Sequence, residues 1–129
     1  MRTAPKGRCQ VRYSEAVLNR VREPKRVGSL DGDHVGTGEV GRLDEGTVVR
    51  IQVRKSGDRI AEARFKVFGC SAAIASASLV AEWLEGAPMA EASRLTAERV
   101  VQKLDLAPER AHVARMAIEA AQLAVKNVS

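Results

Sequence analysis

Residues 59–78 read Arg59-Ile60-Ala61-Glu62-Ala63-Arg64-Phe65-Lys66-Val67-Phe68-Gly69-Cys70-Ser71-Ala72-Ala73-Ile74-Ala75-Ser76-Ala77-Ser78. The first ten alternate: Ile60, Glu62, Arg64, Lys66 and Phe68 stand opposite Ala61, Ala63, Phe65 and Val67, which predicts a strand. At Gly69-Cys70 the period changes from 2 to 3.6. Ala73, Ile74, Ala77, Val80, Ala81 and Leu84 then share one stripe of a helix that Gly86 and Pro88 end. A cysteine at that junction faces the unpaired N–H groups and the positive end of the helix dipole, an environment suited to a thiolate.

Upstream, Thr47 to Arg54 alternates in the same way, with Val49, Ile51 and Val53 against Val48, Arg50, Gln52 and Arg54. Ser56-Gly57-Asp58 separates the two runs, so they form an antiparallel hairpin. Between Val27 and Gly46 six glycines punctuate the chain, which reads as loop with one edge strand around Gly36 to Val40. Before it, Ser14 caps a short helix with Val17, Leu18 and Val21 on its apolar face, stopped by Pro24.

Downstream, Thr96 caps a helix running to about Leu104. Pro108 fits the first turn of a last, longer helix toward Lys126, with Val113, Met116, Ala117, Ala120 and Leu123 inward. Strands first and helices afterwards make the class α+β rather than alternating α/β.

At 129 residues the chain is one domain able to bury a core without staples. Aromatic residues are only 3% of it, so packing depends on Ala, Val, Leu and Ile. Two cysteines, Cys9 and Cys70, make no disulfide framework, and a reducing cytoplasm is the expected setting. No apolar run approaches the roughly 18 residues of a membrane span. The net charge of +5 raises nucleic acid as a partner, but no aromatic residues interleave with the basic ones to stack bases, so none is expected. Residues 1–12, with Arg2, Lys6, Arg8 and Arg12 and no acid, read as a flexible basic arm before a domain at 13–129.

Few side chains besides Cys70 look chemical. His112 stands near the start of the last helix, and Asp44 and Glu45 stand in the loop before the hairpin. A Cys, a His and a carboxylate from separate loops are three of the four ligands of a zinc or iron site. The bland readings compete at each position: Cys70 as a small core hydrophobe, His112 as a solvated helix residue, Glu45 as a loop charge. Cys70 as a nucleophile with His112 as base lacks an orienting third group, so the chain is not read as an enzyme. The glycine-rich loop matches no phosphate-binding motif.

Taken together, Tyr13-Ser14-Glu15, Pro24-Lys25-Arg26-Val27-Gly28-Ser29-Leu30, Val35-Gly36-Thr37-Gly38, Phe68-Gly69-Cys70 and Ala73-Ile74-Ala75-Ser76-Ala77-Ser78 resemble the IscU family, the iron–sulfur cluster assembly scaffolds equivalent to the N-terminal domain of NifU. The resemblance runs from about residue 13 to 126. It implies a small three-stranded antiparallel sheet packed against a layer of helices, with a long C-terminal helix. It also implies a [2Fe–2S] cluster built on three cysteines with sulfur from a cysteine desulfurase, and hand-over helped by an Hsp70-type chaperone.

Residue by residue, the resemblance is incomplete. Glu45 takes the position of the family's first cysteine and Thr47 that of its Asp. Cys70 is the second cysteine. His112 is kept, but Val113 replaces the third cysteine. Leu106-Ala107-Pro108-Glu109-Arg110 stands where the family has Leu-Pro-Pro-Val-Lys, leaving Leu106, Pro108 and Arg110 as a remnant of the chaperone motif. A Cys70, His112 and Glu45 set, with Asp44 as a further donor, suits one zinc or iron ion better than a [2Fe–2S] cluster, which wants mostly thiolates. The expected function is therefore a scaffold-like protein of iron–sulfur assembly with a depleted site. It would bind one metal ion, or chiefly partners: a cysteine desulfurase, another scaffold or an iron–sulfur client. The alternative is a structural or regulatory subunit that docks on another protein with Cys70 inert.

Overall fold

Capping side chains mark the starts of two helices in the computed structural model, which describes residues 13–128. The proposed basic arm, and Cys9 with it, lies outside the described residues. The helices are α1 (Glu15–Arg22), α2 (Ser71–Leu84), α3 (Ala97–Leu104) and α4 (Ala111–Lys126); the strands are β1 (Val35–Arg42), β2 (Thr47–Ser56) and β3 (Arg59–Phe68). Ser14 and Thr96 cap α1 and α3 by accepting from the N–H groups of Val17 and Arg99. Ser14 also donates to the carbonyl of Leu104, which ties α1 to the end of α3.

The strands form one antiparallel sheet in the order β1-β2-β3, as the resemblance implied. Val49, Ile51 and Val53 of β2, paired with Val67, Phe65 and Ala63 of β3, face the helices. Arg50, Gln52 and Arg54, paired with Lys66, Arg64 and Glu62, face outward. Ile60 departs from the alternation. A register shift at Arg54/Lys55 turns it from the outward set into the core, where it is fully buried. Ahead of the sheet, Arg26 accepts from the N–H of Phe65 and Gly28 donates to its carbonyl, so Val27 forms a single parallel bridge along β3.

β1 is longer than the expected Gly36 to Val40. Gly36 and Gly38 serve helix contact rather than loop freedom. A Cβ on Gly36 would lie 2.0 Å from the carbonyl oxygen of Ala124, so the backbone of α4 rests directly on β1. Asn127 fixes the far end of that contact by donating to the carbonyl of Thr37 at 2.9 Å.

α2 is the central helix. It is buried nearly all round rather than along one stripe, with Ala72, Ala73, Ala75, Ala77, Leu79, Val80, Ala81 and Leu84 inaccessible. Small residues allow neighbours on every side, and the two buried serines are satisfied. Ser76 donates to the carbonyl of Ala72 at 2.7 Å, and Ser78 lies between the carbonyl of Lys25 and the guanidinium of Arg20. At the end of α2, the Glu85 carboxylate accepts from Arg26 at 2.8 Å, Arg64 at 2.9 Å and the N–H of Ala63 at 3.2 Å.

Two expectations for the last helix need correction. Pro108 opens a separate 3-10 turn, Pro108–Arg110, and α4 proper begins at Ala111. Leu123 is partly exposed on the flank of α4, while Ala114, Ile118, Ala121 and Ala124 complete the buried face. A helix lying this close to strand backbone selects alanine at its contact line and moves larger residues to the rim.

Candidate functional site

One end of the sheet collects the segments that the sequence singled out. β3 ends at Phe68, Gly69 follows, and Cys70 adopts extended angles (φ −80°, ψ 170°) as the N-cap residue of α2. Its carbonyl accepts from the N–H groups of Ala73 and Ile74, while its side chain makes no capping hydrogen bond. The thiol is free and half-buried. Across the sheet, β1 turns into β2 through a 3-10 turn at Leu43–Glu45, closed by Gly46 in the left-handed region (φ 88°).

Two glycines hold these segments together. A Cβ on Gly69 would stand 3.1 Å from Thr47 Cγ2, so the cysteine turn lies against the first residue of β2. A Cβ on Gly41 would stand 2.2 Å from the Thr47 carbonyl oxygen and 2.7 Å from Met116 Cε. Met116 thus brings α4 to the same end, and His112 lies one turn earlier on that helix. Arg110, two residues before His112, sets its guanidinium 5.8 Å from the ring centre of Tyr13.

His112 and Glu45 are exposed, and Asp44 is already held by Arg42, its two carboxylate oxygens 3.1 and 3.0 Å from Nε and Nη2. Among the described residues no three His, Cys, Asp or Glu side chains are placed to hold one metal ion. Val113, next to His112, is fully buried in the core. Residues 13–129 contain one cysteine, Cys70. Leu106 is buried, and Arg110 is half-buried beside Tyr13, which leaves Pro108 as the exposed member of that remnant.

The sequence pattern of the NifU-like N-terminal domain matches residues 12–129. The chain belongs to this family. Its relatives include the iron–sulfur cluster assembly scaffold protein IscU of Escherichia coli and that of Haemophilus influenzae. Each is 38% identical over 116 residues, covering 88% of this chain and 91–92% of theirs. The iron sulfur cluster assembly protein 1 of Trachipleistophora hominis is 35% identical over 117 residues, 89% of this chain and 85% of that protein.

Solved structures show the same NifU-type fold. A NifU-like N-terminal protein from Brucella abortus superposes with a TM-score of 0.72 at 15% identity, over 88% of this chain and 92% of that one. A SUF-system scaffold candidate from Fervidobacterium islandicum gives 0.70 at 21% identity, over 88% and 96%. The IscU resemblance and the α+β fold with a three-stranded sheet are thereby established. What the sequence could not reveal is the role of Gly41, Thr47 and Met116. Strand pairing sets Gly41 and Thr47 beside the Cys70 turn, and the packing of α4 on the sheet brings Met116 to them.

Proposed function

We propose that this NifU-type chain works in iron–sulfur cluster assembly as a scaffold-like protein with a depleted cluster site, acting chiefly by binding partner proteins. Its relatives are named as assembly scaffolds rather than enzymes, which supports the general role. The observation that carries depletion is Val113: the residue after His112 is an isopropyl group packed fully into the core. It offers neither a metal ligand nor a sulfur to carry a persulfide. With Glu45 in the turn, Cys70 is the one thiol left among residues 13–129. The fitting partners are a cysteine desulfurase, another scaffold or an iron–sulfur client. Docking of an Hsp70-type chaperone through Leu106, Pro108 and Arg110 is disfavoured by the burial of Leu106. We place the protein in a reducing cytoplasm, which keeps Cys70 a free thiol. No helix among the described residues is long and apolar enough to cross a membrane.

A second reading is a single zinc or iron ion held by Cys70, His112 and Glu45, with Asp44 as a further donor. It is favoured by the half-exposed thiol and by the exposure of the other two groups at the same end. Anaerobic reconstitution with ferrous iron, cysteine, a thiol reductant and a cysteine desulfurase tests the first reading. The depleted-site reading expects no stable [2Fe–2S] absorption, and a cluster at about one per chain or per dimer would overturn it. Metal analysis of the purified wild type and the Cys70→Ser variant tests the single ion. Bound zinc or iron that disappears in the variant supports it, and none in either protein overturns it.

A further inference from the structure

The two edges of the sheet are finished differently. Along β3 the edge-facing backbone groups are taken: Phe65 by Arg26 and Gly28, Ala63 by the Glu85 carboxylate, and Ile60 by Gly86 and Ala87. β1 has β2 on one side and no strand on the other. Lys55 donates to the carbonyl of His34, one step beyond the Val35–Arg54 pair, so the even-numbered residues of β1 bond to β2. Val35, Thr37 and Glu39 therefore turn their N–H and C=O groups to the free edge. Among the described residues that row meets one donor, the Asn127 side chain at the Thr37 carbonyl. β1 also lacks the proline, lysine or register shift that blunts an exposed edge.

Beside this edge the helix side of the sheet is hollow. Val40, Glu119, Gln122, Leu123 and Lys126 line an open cavity of about 370 Å³, and Leu123 is 38% exposed. A strand added to β1 would point alternate side chains toward the helices, as β1 itself does with Gly36, Gly38 and Val40. Unpaired backbone groups beside a cavity for alternate side chains are what recognition by strand addition uses.

We propose that the free edge of β1 takes up an extended segment of a partner protein as a fourth, antiparallel strand. Backbone groups of the segment bond to Glu39 and to the N–H of Thr37, and an apolar side chain next to them rests on Val40 and Leu123. This rests on the partner-binding reading above and gives it a mode of recognition: an extended segment with free N–H groups and alternating apolar residues.

Geometry decides between occupants. Antiparallel pairing of β1 with β1 of a second copy sets the strands about 5 Å apart with both α4 helices on one face. Each α4 rests its backbone directly on its own β1, so the helices would be as close, against the roughly 8–10 Å that packed helices need. A two-fold axis along the strands would instead set N–H against N–H. The chain's own residues 1–12 contain Pro5 and Gly7, both poor strand formers, and only Val11 is β-branched and apolar.

The test uses the full chain and a fluorescein-labelled peptide, Lys-Val-Thr-Val-Thr-Val-Lys. Its threonines fall opposite Thr37 and Glu39, and its valines face the cavity. Anisotropy reports affinity, and amide shifts and hydrogen exchange of the labelled protein report place. Saturable binding is expected, with shifts confined to residues 35–41 and 119–126 and new protection of the Glu39 amide. N-methylation of both threonines should weaken binding by about tenfold or more, because it removes the donors that face β1, while N-methylation of the valines should spare it.

Glu39→Pro removes an N–H that β2 does not use, a place where an edge strand tolerates proline, and should weaken binding to the same extent. Leu123→Lys charges the cavity at a partly exposed position and gives a second variant should the proline disturb the strand. Absence of binding, equal binding of the threonine-methylated peptide, loss on methylating the valines instead, or unchanged affinity in both variants would each overturn the proposal. So would protein dimers that Glu39→Pro dissolves, or a Glu39 amide that deletion of residues 1–12 exposes in the absence of peptide. The depleted-site reading fails separately, in the reconstitution assay, which contains no peptide.

Discussion

Gly38 lies against Ala120: a Cβ on the glycine would stand 2.0 Å from the alanine's carbonyl oxygen and 2.6 Å from the N–H nitrogen of Ala124. The backbone of α4 therefore touches the backbone of β1, and no side-chain rearrangement can make room between them. Gly38→Ala must move the helix off the sheet. It should cost about 3 kcal/mol or more, at the upper end of what overpacking does. A urea-unfolding midpoint within error of wild type would show that the helix stands further away. Because α4 also brings Met116 to the Cys70 end, the same variant should change the amide shifts around Thr47.

That contact also explains where sequence reading stopped. Strand alternation in β2 and β3, the Gly69-Cys70 junction and the Ser14 and Thr96 caps are local, and each was legible from a few neighbouring residues. Gly36 and Gly38 were read as edge strand, but their contact with α4 was not legible, because a glycine chosen for close approach looks the same in sequence as one chosen for a turn. The all-round burial of α2 was hidden because alanine and serine make weak periodicity. The inward turn of Ile60 depends on a register shift, and the exposure of Leu123 on how close α4 lies to β1. At the site, Cys70 and His112 were visible as residue types. That His112 is exposed while Val113 enters the core follows from α4 docking, which is not a local property.

Ser14 joins two elements 90 residues apart. Its hydroxyl accepts from the N–H of Val17 and donates to the carbonyl of Leu104. Ser14→Ala removes the cap and leaves a partly buried carbonyl without its donor, so it should destabilise by about 1–2 kcal/mol. Hydrogen exchange should show the loss as faster opening of α1 and of the last turn of α3, with β2 and β3 unchanged. Uniform loss of protection across the sheet would mean that α1 is not a separate unit.

Glu85 gives the fold a dependence on acid. Burial by itself raises this carboxyl, but the hydrogen bonds from Arg64, the Ala63 N–H and Arg26, with the charge of Arg26, outweigh it and hold the pKa below its ordinary 4.5. A carboxyl lowered in the folded state stabilises fully above its unfolded pKa, and that stability is lost as pH falls through the folded value. Wild type should therefore weaken on going from about pH 5 to about pH 3 more steeply than Glu85→Gln. At pH 7 the variant should already be less stable by about 1–3 kcal/mol. Parallel stability–pH curves for the two proteins would remove Glu85 from the account.

Val113 distinguishes a site that has lost a ligand from one that has merely exchanged it. Its side chain is fully buried at the first turn of α4, beside the exposed His112. Cysteine is close to valine in size, so Val113→Cys should cost less than about 1.5 kcal/mol. In a Cys9→Ser background, the folded variant should show the same readily titrated thiol as its parent, Cys70. The new thiol should react with an aromatic disulfide reagent only after unfolding in guanidinium, because a thiol packed in the core is inert. A second fast thiol in the folded protein would mean that position 113 reaches the surface beside Cys70. Depletion would then be the matter of a single side chain, and reconstitution of that variant should begin to yield a cluster. If the thiol stays hidden, restoring the cysteine is not enough, and the first turn of α4 must itself rotate or open before this end of the sheet can hold iron and sulfide.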